Sequence, residues 1–264
     1  MSADPRPDLD GVNFNSDDYN KLPLVSEAEA LFESQLKSAG LNRAELFSQL
    51  ALLFYDSKAN KPGPYAVYLI HRHYELKPGE RMVATDTSTR PSTEFSPNIV
   101  PHIWSINEEA REFRFVSDPS THPPPPPREF FSKFRSFLEE KRIDTLGICY
   151  AENDLKDGDI YEEGDGPGDR ERMVTMISEL QAGTDSYEVV WSPRHDPKSQ
   201  TLIMAVRCCC NGVGCWTTTI GSVVLISLQP NTIATIFGVC LMRLSLLLRL
   251  LTLVSHPRLF RMLP

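Results

Sequence analysis

His71-Arg72-His73 is the segment whose residue types and spacing come closest to a chemical site. Residues two apart on a strand point to the same face. If residues 65–74, rich in Tyr, Val and Ile, form a strand, both imidazoles project side by side. That arrangement suits two cis ligands of Zn, Fe or Mn. A third ligand is required, and His102 and Glu80 are the nearest in sequence. The competing reading packs both histidines beside Tyr68 and Tyr74 or leaves them in solvent.

Cys208-Cys209-Cys210, with Cys215 close by, is the second grouping. Zinc sites are usually built from two closely spaced couples of Cys or His, whereas three adjacent cysteines strain tetrahedral ligation. Next to an apolar segment such cysteines are also acylation sites, and buried free thiols in a reducing compartment are the plainest reading. Cys149, on an expected strand, reads as core. Residues 152–171 are acidic and rich in Gly, but their oxygens do not fall on the offsets of a calcium loop, which points to a solvated loop. Pro123, Pro124, Pro125, Pro126 and Pro127 form a stiff polyproline II rod, either a docking site for a proline-recognising module or a spacer. The sequence contains no Gly-rich phosphate loop, nucleophile elbow or metalloprotease helix.

These groups need elements to hold them. Ser26 with Glu29 has the form of a capping box opening a helix that Gly40 stops, and Asn42 caps a second helix with Leu46, Phe47, Leu50 and Phe54 on one face. Together they predict an αα-hairpin. Residues 65–74 and 81–84, joined by the Lys77-Pro78-Gly79-Glu80 turn, predict a β-hairpin, and 112–116 a further strand. Phe130, Phe131, Phe134, Phe137 and Leu138 recur at helical spacing, which predicts an amphipathic helix burying an aromatic face. Strands are expected at 146–150, 187–191 and 202–207, and a short helix at 173–180. The fold class these elements imply is α+β: an N-terminal helical hairpin, β-hairpins and an aromatic-faced helix, followed by an apolar C-terminal tail.

The chain has 264 residues with a net charge of −8, which argues against a nucleic-acid binder. The charge is uneven. All 35 acidic residues lie at or before Asp196, giving that part a net −14, and the last 68 residues carry six basic side chains and no acid. Residues 208–242 contain no charge at all. The domain reading is a disordered acidic arm at 1–22, an α+β domain at 23–207 with a proline-rich break at 117–128 and an acidic loop at 152–171, and an acid-free tail at 208–264. Residues 219–254 hold two overlapping windows long enough for a transmembrane segment. One is interrupted by Gln229-Pro230-Asn231, and the other contains Arg243 and Arg249. A buried strand and helix, or a tail that is not a genuine domain, are the alternatives. No secretory signal opens the chain, so an intracellular location is expected, cytoplasmic or membrane-attached.

The run from Tyr68 through His71 and His73 to Leu76, followed by Lys77-Pro78-Gly79-Glu80, resembles a segment of an uncharacterised protein family of filamentous fungi. In that family a Leu-x-His-x-His strand precedes a Pro-Gly-Glu-like turn. The resemblance spans about 30 residues, 65–91, and implies no activity. Metal enzymes of the cupin type also carry paired histidines, but with a glutamate about four residues after the second. Here Glu75 is too near and Glu80 too far. The functional expectation is a non-enzymatic intracellular protein, attached to a membrane through its tail. The alternatives are a metal-binding protein or metal-dependent enzyme using His71 and His73, or an adaptor displaying its polyproline run.

Overall fold

The computed structural model describes residues 14–56, 61–151, 159–166, 168–177, 186–196, 198–199 and 201–211. All of them belong to one unit, Met1–Cys215. Three helices come first: α1 (Ser16–Asn20), α2 (Val25–Ala39) and α3 (Arg43–Phe54). A short ribbon of β1 (Tyr55–Asp56) and β2 (Lys61–Pro62) follows, then β3 (Tyr65–Leu69), β4 (Arg81–Ala84), β5 (Ser88–Ser92), β6 (Ile99–Trp104) and β7 (Ala110–Phe115). After a single 3₁₀ turn come α4 (Arg128–Lys141), β8 (Leu146–Tyr150), β9 (Ile160–Asp165), β10 (Arg172–Ile177), β11 (Ser186–His195) and β12 (Leu202–Asn211).

Strands β3 to β12 close into a ten-stranded barrel in the order β10-β5-β4-β7-β6-β8-β3-β11-β12-β9, with β9 returning to β10. This overturns the α+β expectation. The helical hairpin and the aromatic-faced helix are present, but they pack against a closed sheet. The expected hairpin of 65–74 with 81–84 does not form. β3 pairs with β8 and β11, while β4 pairs with β5 and β7. The expected helix at 173–180 is strand β10 as far as Ile177, and residues 160–165 of the acidic loop are strand β9, paired with β10 along its whole length. Distant partners, β8 and β11 for β3, β5 for β10 and β12 for β9, hold these segments in the sheet, which local propensity does not encode.

The helices stand where their sequences start and stop them. Asn42 and Glu45 form a reciprocal capping box on α3. On α2 the box residue is Glu27, which accepts from Leu24 N, so the helix starts before Ser26. Glu29 is left for another task and pairs with Arg43. The Arg43 guanidinium stacks over Phe32 and Trp191, and Phe47 lies 4.7 Å from Trp191, fastening α2 and α3 to β11. Buried Phe131, Phe134 and Leu138 of α4 close another face, with Phe54 edge-on to Phe130 and Phe134. Strands β3 and β8 are buried at every position, as expected where helices cover the outer face and side chains fill the lumen.

Gly147 on β8 has no room for a side chain. A Cβ there would meet the Trp104 carbonyl oxygen and, at 2.5 Å, Ile70 Cδ1. Gly147→Ala is expected to destabilise the barrel by about 1–3 kcal/mol through overpacking. The urea midpoint of the variant reads this directly; an unchanged midpoint would mean that the β6–β8 contact yields.

Among the described residues no helix is long and apolar enough to cross a membrane, so the expected transmembrane segment finds no carrier in them. The 219–254 windows and Cys215 lie outside the described residues.

Candidate metal centre

Beyond Leu69 strand β3 ends, and an isolated bridge of Arg72 to Leu24 holds the segment that carries both histidines. Their rings lie 4.8 Å apart and edge to face. His71 is 1% exposed. Its Nδ1 donates to the Leu69 carbonyl at 2.7 Å, which assigns the proton to Nδ1 and leaves the Nε2 lone pair as the inward-facing atom. The ring stacks on Tyr68, whose hydroxyl stands 3.4 Å from Nε2. Burial, reinforced by nearby His73, pushes the His71 pKa down to about 3, so this imidazole is neutral at physiological pH.

His73 has the opposite electrostatics. Burial opposes its charge, but Nδ1 stands 3.2 Å from Glu112 Oε1 and Nε2 stands 2.9 Å from Glu163 Oε2. The two carboxylates outweigh burial and hold its pKa well above the ordinary histidine value. Glu112 is 3% exposed and also accepts a 2.9 Å hydrogen bond from the Tyr19 hydroxyl. That hydroxyl in turn accepts from His73 N. Helix α1 exists to deliver Tyr19 to this point, capped at its start by Asn15.

The third donor that the fold sets beside the two histidines is neither His102 nor Glu80 but Cys210, brought in by β12. Its Sγ lies 3.4 Å from His71 Nε2, 3.5 Å from His73 Nε2 and 3.5 Å from Glu163 Oε2. Burial and the Glu163 carboxylate push the thiol pKa up. Glu163 comes from β9, which runs parallel to β12 with Cys210 opposite Glu163. Thr89 donates to Glu163 Oε1 at 3.2 Å. Arg172 lies 4.0 Å from Oε2 and donates to the carbonyls of Glu163 and Asn211, tying β9, β10 and β12 together. Despite burial, His73 and Arg172 hold the Glu163 carboxyl well below the usual range.

The donor atoms of His71, His73 and Cys210 lie within 4.8 Å of one another. At a Zn–N bond of ~2.05 Å, a Zn–S bond of ~2.3 Å and tetrahedral angles, an N···S edge is ~3.5 Å. Both N···S separations already match that edge. Glu163 is not among the donors that all lie within 4.8 Å of one another, so as a ligand it would have to move, and its 2.9 Å ion-pair contact with His73 would have to lengthen. Of the ring nitrogens facing away from the centre, His71 Nδ1 donates to a carbonyl as metal-bound histidines do, while His73 Nδ1 lies 3.2 Å from Glu112 but outside hydrogen-bond geometry.

His73 and Glu163 also floor a cavity that encloses about 690 Å³ of empty space, its open mouth included. His102 lines this cavity, while Glu80 stands apart, clamped by Arg170. Cys209 points away from the centre, its pKa pushed up to about 12 by burial and the Glu188 carboxylate. The prolines lie elsewhere: Pro123 accepts from the Tyr150 hydroxyl, Pro124 and Pro125 from that of Tyr65, Pro126 is buried and Pro127 caps α4. Sequence reasoning missed Cys210, Glu112, Glu163 and Tyr19 as members of the centre. The only local trace was the cysteine run itself. No protein-family model, curated protein or solved structure matches this chain.

Proposed function

We propose that this protein binds one divalent transition metal inside its barrel, with zinc the best fit to the donors. His71 Nε2, His73 Nε2 and Cys210 Sγ supply three ligands, and Glu163 Oε2 the fourth on the cavity side. The observation that carries the reading is the pair of imidazole–thiol separations at tetrahedral edge length. Two imidazoles and a thiolate favour zinc over the hard, oxygen-seeking cations. The outer hydrogen bond of His71 Nδ1, and a carboxylate 3.2 Å behind His73, favour it further. Bound there, the metal would tie β9, β12 and the segment after β3 into one unit, and its carboxylate ligand would face the cavity.

The test is the metal content and affinity of the metal-free, refilled protein. One zinc per chain is expected, and cobalt in its place should show thiolate charge transfer. His71→Ala and Cys210→Ser should each bind zinc more than ~100-fold more weakly, beyond what loss of a hydrogen-bond partner behind a ligand costs. A folded protein that takes up no zinc, or cobalt absorption unchanged in Cys210→Ser, would overturn the reading.

A further inference from the structure

Strands β4 and β7 run side by side in parallel, with Val83 opposite Phe113. Glu112 and Arg114 line the cavity, so alternation along β7 turns Phe113 and Phe115 to the outer face of the barrel. Helices α2 and α3 pack on β3, β11 and β12, away from this face. Aromatic rings cover it instead. Phe14 stands edge-on to Phe113 at 5.3 Å, and Phe115 is 42% exposed.

Arg81, at the start of β4, lies against these rings. Its guanidinium carbon is 4.8 Å from the centroid of Phe113, which is 2% exposed, and 4.0 Å from that of Phe95, which is 75% exposed. Phe95 belongs to the connection between β5 and β6, shortly after Ser92, the ladder partner of Arg81. A buried ring and an exposed ring thus hold the guanidinium, and Arg81 itself is 9% exposed.

The two rings are its only side-chain partners among the described residues. Nη2 is sealed from solvent without a hydrogen bond, and Arg81 forms no ion pair. Its neighbour in sequence, Glu80, is clamped by Arg170. Burial therefore pushes the Arg81 pKa down with no carboxylate to offset it. Arg172, also buried, differs in having Glu163 and two carbonyls. Stacking on a ring offsets only part of the cost of burying a guanidinium, which leaves Arg81 short of one anion. An arginine beside exposed aromatic rings also has the composition of a protein-binding hot spot.

We propose that this outer face docks an acidic peptide segment of a partner protein. One Asp or Glu carboxylate meets the edge of the Arg81 guanidinium, and an apolar side chain next to it lies on Phe95. Charge complementarity selects the occupant. Exposed rings alone accept any apolar surface, whereas the unpaired guanidinium requires an acidic one and offers a carboxylate charge-assisted hydrogen bonds. The face uses none of the metal donors and does not depend on the metal.

The experiment is NMR titration of the full chain with three probes: the peptides Glu-Leu-Phe and Gln-Leu-Phe, capped at both ends, and acetate. The Glu peptide should shift the signals of the Arg81 side chain and of Phe95. It should bind at least tenfold more tightly than the Gln peptide and than acetate. Arg81→Gln should weaken it about 10- to 100-fold, as loss of a charge-assisted hydrogen bond implies. Phe95→Ala, at an exposed position, should weaken it about 3- to 10-fold and covers the case in which Arg81→Gln fails to fold. The proposal is overturned if either control matches the Glu peptide, if the shifts fall elsewhere, or if a folded variant binds it unchanged. The sequence before Phe14 contains Asp4, Asp8 and Asp10. Binding seen only after Asp4→Asn, Asp8→Asn and Asp10→Asn together would mean that the chain's own carboxylates serve Arg81, which overturns docking of a partner.

Discussion

Replacing His73 by alanine is expected to destabilise the metal-free fold by about 3–5 kcal/mol, the range for removing one member of a buried ion pair. The imidazolium stands between Glu112 and Glu163, and its side chain is 3% exposed, so solvent does little to screen the loss. Its pairing has a definite pH window. His73 has a folded pKa above its unfolded value of ~6.5, so its contribution is complete below that pH and is lost as pH rises through the folded value. Glu163 has a folded pKa below its unfolded value of ~4.3, so its share is complete above that pH and is lost as pH falls through the folded value. The gap between wild type and His73→Ala should therefore be widest from about pH 5 to 6.5 and close toward strong alkali and strong acid. Urea unfolding across that range, with a chelator present, measures it. A gap below ~1 kcal/mol at pH 6 would show that the carboxylates do not depend on this imidazolium.

The apparent zinc affinity is expected to rise about 100-fold per pH unit near neutrality, two protons leaving for each metal bound. The proposed nitrogen and sulfur ligands differ in what they release. His71 is already neutral, with its proton on Nδ1, and gives up nothing. His73 must release the Nε2 proton now facing Glu163, and Cys210 must release a thiol proton that burial holds firmly. Competition with a chelator at several pH values gives the slope, and calorimetry in buffers of different ionisation enthalpy counts the protons. Cys210→Ala should lower the slope to about one per pH unit, since a single proton is left to displace. A slope near zero in the wild type would mean that neither group ligates.

Parts of this molecule are legible in its sequence because they are governed by neighbours along the chain. Asn42 and Glu45 mark the start of α3, and Gly40, at φ 69°, marks the end of α2, since each acts on backbone within a turn of itself. The aromatic stripe of α4 follows from helical period alone. The His71/His73 pair is visible for the same reason, because extended backbone carries residues two apart to one side whether or not a ladder continues. The barrel is not legible in this way. Strand β3 ends before the histidines, and its partners begin 77 and 117 residues downstream of its last residue, in β8 and β11. The acidic run around Glu163 reads as a solvated loop until Arg172, Thr89 and His73 surround it, since a buried carboxylate is favourable only with partners in place. Thus the sequence by itself determined α3 with its cap, the end of α2, the aromatic face of α4 and the paired histidines, all set by contacts within a few residues. Only tertiary closure decided that Cys210, Glu163, Glu112 and Tyr19 meet those histidines. Pairing register across a closed sheet is a property of the whole circuit and of no single segment.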